Sequence, residues 1–440
     1  MKHDARPHRS RGFREVAAAA LVVLAACSDI LDVTLPGKVG SSDLDNPALA
    51  GPLANGVVAT FECGWNQYVA AANALSDQFL STSGQGNTNV WGIRSILSSN
   101  INLLDNCDAG AGGYSALVPL QTARVLADEA ARRIDGYPDA AVPNKAFLRA
   151  QVKTYGAYAI LPLGEGFCQM SFDQGPIVTP REALQNAEAR FTDALAAAAT
   201  AGSADLRNMA LVGRARVRLD LENFAGARAD AEQVTAGYLK NATRGATDRH
   251  RWNLVYEFQN NETSQGLRHV TVAPAFRGVT WQGVADPRVT VTATTLISGD
   301  GVTPWFRHNK ALSRSDPIPI ASYKEARLIL AEAAARANDL TTARQVINAL
   351  HTAAGIPGYD LGNTAAQPDV IAQVIEERRR ELFLEVGARY NDHLRFRSTQ
   401  WKIPFRGEPG SVHPTGVDQR GQQYGSTTCI PLPDAETLGR

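Results

Sequence analysis

The sequence predicts a mainly α-helical protein, a scaffold of paired helices carrying irregular loops and a few short strands. Three observations lead there. Across residues 115–234, and again across 322–396, apolar residues recur at three and four spacing, the period of helices with one buried face. Two of these stretches share an internal pattern: Ala215, Phe224 and Ala227 stand 9 and 12 apart, and so do Ala331, Leu340 and Ala343, 116 residues further on. Between about 236 and 321 the helical period fades, and "RHVTVAPAF" and "RVTVTATTLI" alternate β-branched and small residues as strands do.

Taken in order, the chain opens on a different composition. Residues 1–15 carry Lys2, Arg6, Arg9, Arg11 and Arg14 against Asp4 and Glu15, and residues 16–26 are apolar without a break. Eleven residues of helix rise only about 16 Å, half of a bilayer core, so a spanning helix is not expected. A positive start, a short apolar run and small residues at its end describe an export signal over 1–26. "LAAC", Leu24 to Cys27, resembles a bacterial lipobox, in which cleavage exposes a cysteine that is then acylated. The alternative is a plain secretory signal followed by a chance cysteine. The absence of Asp after Cys27 is, by the same resemblance, compatible with outer-membrane sorting. Residues 27–45 read as a tether with Pro36, Gly37 and Gly40, and residues 46–440 as one domain without an internal linker.

Within that domain, Asp45 or Asn46 caps a first helix with Pro47 in its first turn, and a second helix is expected near 67–79. "STSGQGNTNVWG" then reads as a polar, Gly-rich loop with an exposed Trp91, and Cys107–Tyr114 as another. Long helices follow at 117–134, 144–161, 180–199 and 205–234, and a further pair at 322–355. In the two matching copies a small residue lets the helices approach, a short polar turn follows, and a second small residue packs back. That spacing resembles the tetratricopeptide repeat, although any alanine-rich helix pair shares some of it. Residues 374–386 form the last helix, ended by Gly387, with Glu377, Glu381 and Glu385 on one side near Arg378 and Arg380. As exposed pairs these contribute about 0.2–0.5 kcal/mol each, so the segment reads as structural.

Composition narrows the function. Lys+Arg and Asp+Glu are both 44, and without residues 1–26 the formal charge is near −3, so no basic excess points to nucleic acid. No HExxH, CxxC, GxGxxG, GxxxxGK or GxSxG arrangement occurs, and the histidines show no metal-like pairing, so neither a catalytic motif, a cofactor nor a metal is expected. Two carboxylates in a cleft, as glycosidases use, stay open. If Cys27 is acylated, Cys63, Cys107, Cys168 and Cys429 remain for an oxidising compartment. Three pairings are possible. Cys63–Cys107, closing a local loop, and Cys168–Cys429, pinning the tail, are favoured; four free thiols are the alternative.

Several segments then act together. "CSDILDV" after the lipobox, "DPR" at 286–288, "SYKEARLILAEAAARAND…ARQVINALHTAAG" at 322–355 and "IEERRRELFLEVGARYNDHLR" at 375–395 occur in that order. The ordered set resembles the SusD/RagB family of outer-membrane nutrient-binding lipoproteins. Glu377, Arg378, Glu381, Leu382, Glu385, Gly387, Arg389 and Asp392 match its C-terminal hallmark, with Val386 intruding before Gly387 and His393 before Leu394. The resemblance implies a mainly α, tetratricopeptide-like fold and a protein that is not an enzyme. It implies a surface-exposed, lipid-anchored (palmitate-bearing) protein on the outer membrane. There it captures a glycan or peptide and delivers it to a SusC-like TonB-dependent transporter. An exported glycoside hydrolase or lyase, and a tetratricopeptide assembly scaffold, are the alternatives.

In that family the hallmark is scaffold, so ligand contacts are sought by chemistry. Sugars lay C–H faces on aromatic rings and hydroxyls on polar side chains. Asp77, Asn89 and Trp91 in the 76–91 loop have that mixture, as do Trp281 beside Gln282, and Trp305. Each tryptophan alternatively packs under a loop. Trp65 and Trp401 are assigned to packing.

Overall fold

The computed structural model describes residues 43–107, 114–260, 268–359 and 365–437. The expected signal, Cys27 and most of the tether lie outside them. The chain divides into two units, 1–46 and 47–440. Of the first, residues Asp43–Asp45 form a 3-10 turn.

The second unit starts with helix α1, Ala50–Leu75. This is one continuous helix where the sequence suggested two. Its face from Phe61 to Leu75 is buried throughout, and Gly64 lets α1 approach so closely that a Cβ there would lie 3.0 Å from Leu120. Burial of every residue from Phe61 to Leu75 overrides the weak helix propensity of the glycines. Strand β1 (Phe79–Ser81) and short helix α2 (Gly86–Gly92) follow, the latter inside the segment read as a loop. Then come α3 (Leu117–Gly136), α4 (Lys145–Gly166), the hairpin β2 (Met170–Ser171) and β3 (Ile177–Val178), α5 (Pro180–Thr200), α6 (Ala204–Asp220) and α7 (Phe224–Ala231). Consecutive members of α3 to α7 pack on one another, and α1 packs on α3 and α4.

The strand-rich insertion contributes β4 (Leu239–Ala242), α8 (Leu254–Asn260), β5 (Val270–Val272), β6 (Thr280–Trp281), β7 (Val284–Ala285), β8 (Val291–Ile297), β9 (Pro304–His308) and β10 (Ile318–Ser322). They form two-stranded antiparallel pairs, β1 with β5, β4 with β10, β6 with β7 and β8 with β9. The chain then returns to helices with α9 (Tyr323–Arg336), α10 (Leu340–Ala354), α11 (Gln367–Glu381) and α12 (Ala388–Arg395). The fold is mainly α-helical, as the periodicity predicts.

The internal repeat reaches further than its alanines. Ala215, Ala227, Ala331 and Ala343 are all fully buried where α6 meets α7 and α9 meets α10. Glu222 and Asn338, again 116 apart, both take left-handed φ, 63° and 61°. Asn223 and Asp339, the next residues, both cap the following helix through their side chains. Arg228 Nη1 then bridges the copies to Asp339 Oδ2 at 2.9 Å.

The helix expected at 374–386, which is α11, departs from expectation. It ends at Glu381, not Gly387. Leu384 N–H donates to Gln78 Oε1 at 2.8 Å, and Leu384 O accepts from Asn73 Nδ2 at 3.2 Å. These long-range bonds, with left-handed φ at Leu384, Val386 and Gly387, draw the chain out of the helix before α12 begins. The charges of α11 are also buried where an exposed array was expected. Arg288 Nη1 donates to Glu377 Oε2 at 2.6 Å and Glu381 Oε2 at 3.3 Å, and Arg380 Nη1 to Asp286 Oδ2 at 3.2 Å. Two disulfides complete the unit: Cys63–Cys107 ties α1 to the chain before α3, and Cys168–Cys429 ties the end of α4 to the tail.

Candidate ligand-binding site

The site is built where the end of α1, the strand-rich insertion and the C-terminal tail meet. β1 pairs with β5, Leu80 opposite Thr271. Thr271 Oγ1 donates to Pro304 O at 3.1 Å and accepts from the Phe306 N–H at 2.8 Å, so β9 continues the same layer. Beyond β1, Thr82 N–H donates to His269 O at 2.9 Å and Thr82 Oγ1 to Arg268 O at 2.7 Å. Ser83 Oγ lies 2.9 Å from His269 Nδ1. Burial pushes the His269 imidazole down to about 4, so near neutrality an uncharged ring holds the loop.

The tail closes over this layer. Asn89 Nδ2 donates to Gln422 Oε1 at 2.8 Å, and Asn89 Oδ1 accepts from Ser81 Oγ at 3.0 Å and Arg420 Nη2 at 2.6 Å. Arg420 Nε donates to Asp418 Oδ2 at 3.0 Å, and its Nη1 to Ser83 O at 2.9 Å. Asn89 is thus the hub of a face of amides, hydroxyls and one guanidinium, with Asn87 exposed and Gln85 half-buried beside it.

One buried cation sets the position of these loops. Arg406 donates to Ala74 O in the last turn of α1, to Phe79 O in β1, and to Gly92 O at the end of α2 (2.9 Å). A cation on helix C-terminal carbonyls is favoured by the helix dipole. Arg94 Nη1 in turn donates to Arg406 O and its Nε to Thr427 O, stitching the loop to the tail.

The residues predicted for ligand contact fare differently. Asn89 stands on the face. Asp77 lies beneath it, taken up by Arg389 (Nε to Oδ1 2.7 Å, Nη2 to Oδ2 2.6 Å) and by His393 (Nε2 to Oδ1 3.2 Å). Burial alone would raise its carboxyl, but the Arg389 guanidinium and His393 hold it well below the usual carboxylate range. Trp91 is 2 % exposed and packs edge-on against Tyr114 at 5.3 Å, so it offers no open ring in place of the exposed stacking platform expected. Trp305 is 6 % exposed, with the Arg268 guanidinium over its ring at 5.0 Å. Trp281 belongs to other neighbours: its edge meets His351 at 5.0 Å, and Arg380 lies over it at 5.6 Å. Trp65 and Trp401 pack, donating to Pro319 O and Pro368 O. Arg420, Gln422, Arg268 and Arg406 escaped the sequence reading. The polar, Gly-bearing "DQRGQQYG" at 418–425 was the one signal for Arg420 and Gln422.

Among the described residues no group of three or more His, Cys, Asp or Glu could hold a metal ion, and no helix is long and apolar enough to cross a membrane. The segments that carry the resemblance meet instead in the buried network: "DPR" supplies Asp286 and Arg288, the hallmark supplies Glu377 and Glu381, with Arg378 on Asp392 at 2.9 Å, and Arg380 beside them joins Asp286. Residues 238–429, which contain both, match the SusD family model. Over that stretch the chain carries the pattern of the SusD/RagB family. Solved structures of SusD-like proteins share its fold. A SusD superfamily protein from Parabacteroides distasonis aligns at TM-score 0.65 and 11% identity over 91% of this chain and 97% of that one. A SusD-like carbohydrate binding protein from Bacteroides vulgatus aligns at 0.59 and 16% identity over 80% and 83%. Surface glycan-binding protein A from Bacteroides uniformis aligns at 0.60 and 13% identity over 87% and 97%. No protein of curated function matches the chain.

Proposed function

We propose that this SusD/RagB-family protein is a cell-surface glycan receptor that works by binding, without chemistry on the ligand, and passes its ligand to a SusC-like TonB-dependent outer-membrane transporter. The observation that carries the reading is the polar face around Asn89, Arg420 and Gln422. It is assembled from two segments far apart in the chain, in a fold shared with proteins described as carbohydrate- and glycan-binding. Amide and guanidinium groups on fixed loops suit hydroxyl-rich ligands. Export through residues 1–26 and acylation of Cys27 would place that face outside the cell. Cys27→Ala is expected to leave the membrane fraction; retention with the outer membrane in cells lacking the transporter overturns the anchor.

Affinity electrophoresis and calorimetry against a glycan and peptide panel test the receptor. Asn89→Ala is expected to weaken binding of the preferred glycan about tenfold, the value of one or two hydrogen bonds. Asn87→Ala, at an exposed tip, tests the same face without touching the hub. No binding to any panel member, or hydrolysis of an oligosaccharide abolished by one carboxylate substitution, would sink the proposal.

A further inference from the structure

The β8–β9 hairpin carries an electrostatic feature that a receptor for neutral sugars does not need. Thr292 pairs opposite Arg307, Ile297 opposite Pro304, and the Ser298 N–H donates to Thr303 O at 2.8 Å. Opposite residues share a face and alternate ones along a strand do too. Thr292, Ser298, Thr303, Trp305 and Arg307 therefore lie on one side of the hairpin.

On that side three polar atoms lack any hydrogen-bond partner: Ser298 Oγ, Trp305 Nε1 and Arg307 Nε. Ser298 and Trp305 are 4 % and 6 % exposed. Buried polar groups are ordinarily paired, so three orphans on one face of one hairpin call for an external partner. Two of the three can only donate. Arg268 lies over the Trp305 ring, its Nη1 donating to Ile297 O at 3.1 Å. Neither Arg268 nor Arg307 has a carboxylate partner among the described residues. The hairpin's single carboxylate, Asp300, is turned into its own loop, accepting from the Val302 and Thr303 N–H groups and Thr303 Oγ1. The face is thus rich in donors and positive, with no internal anion to neutralise it.

Resting on the glycan-receptor reading, we infer that the ligand is an acidic glycan whose oxyanion substituent is bound by Arg307 and Arg268, with Trp305 Nε1 and Ser298 Oγ taking neighbouring oxygens. Guanidinium groups hold carboxylates and sulfates through charge-assisted, bidentate hydrogen bonds. Arg268, stacked on Trp305, is preorganised for that role. The face is continuous with the Asn89 site through Arg268 O, which accepts from Thr82 Oγ1.

The test is calorimetry with the full chain against polygalacturonate oligomers, a sulfated polysaccharide free of uronic acid (a carrageenan, which is a sulfated galactan) and a neutral galactan. Tighter binding of one anion than the other tells carboxylate from sulfate. At least about tenfold preference for an acidic probe over the neutral one is expected, weakening as salt rises. Arg307→Gln and Arg268→Gln should each lose about tenfold for the acidic probe, Arg307→Lys less, with the urea midpoint unchanged in the two Arg307 variants. Equal binding of galactan, or acidic binding indifferent to Arg307→Gln, overturns the acidic assignment and leaves the receptor standing. No binding of any glycan overturns both.

Discussion

Asp77 illustrates how burial redirects a side chain. Its type and its loop suggested a sugar hydroxyl; in the fold it holds two α12 side chains, Arg389 and His393, against the end of α1. Removing it would leave Arg389, 9 % exposed, without its counter-charge. Asp77→Ala is therefore expected to cost about 3 kcal/mol, as for other broken buried pairs, read as a fall in the urea midpoint. A cost below about 1 kcal/mol would place the pair among weak surface bridges. Glu165 makes the contrasting case. Burial raises its carboxyl well above the usual range, Arg216 only partly offsets this, and its Oε1 has no hydrogen-bond partner. Glu165→Gln should leave stability at pH 7 unchanged within about 0.5 kcal/mol.

Among the elements, α11, with the Asp286 turn packed on it, is one source of acid sensitivity. Its Glu377 is fully buried and accepts from Arg288, Gln373 Nε2 at 2.6 Å and His351 Nε2 at 2.8 Å. Desolvation opposes ionisation of Glu376, Glu377 and Asp286, yet their arginine and histidine partners win. All three lie below their ordinary values, Asp286 at about 2. The unfolded values are about 4. Groups depressed by folding stabilise the native state above the unfolded value, and that contribution is lost as pH falls through the folded one. Urea midpoints should thus hold steady from pH 7 to 5 and drop between about pH 4 and 2. Glu165 and Asp220, both raised, act in the opposite sense and at higher pH. Their contribution is present below the unfolded value and is lost as pH rises through the folded one, so they leave the limb between about pH 4 and 2 unchanged. Glu377→Gln should flatten the acid limb while lowering stability at pH 7; an unchanged limb would remove α11 as its source.

Across the whole molecule, the tail is what binds distant parts into one site. Cys168–Cys429 spans 261 residues, and Cys168 N–H donates to Ile430 O at 2.9 Å while Ile430 N–H donates to Gly166 O at 2.9 Å. From that staple the chain reaches back through Thr427, Gln422 and Arg420 to Arg94, Asn89 and Ser83. Replacing both cysteines by serine should cost about 2–5 kcal/mol and expose residues 413–437 to protease. A tail equally resistant without the disulfide would show that Arg94 and Arg420 hold it alone.

The helical class, the repeat at 116 residues and the family were legible in the sequence, because a helix needs only a local period and a family only ordered motifs. The hairpin pairs of the insertion were legible as strands, though not in their pairing. The break at Leu382–Gly387 was not, since Gln78 and Asn73, three hundred residues earlier, cause it. Nor was the burial of Trp91 and Trp305, because an isolated Trp in a polar loop reads alike whether it faces solvent or a core. Tertiary structure alone decided that Asn89, Arg420 and Gln422 share a face, since they come from segments that only the fold brings together. It alone decided, too, that the charges of α11 are spent inside the molecule, because a carboxylate's partner is set by distance in space and not along the chain.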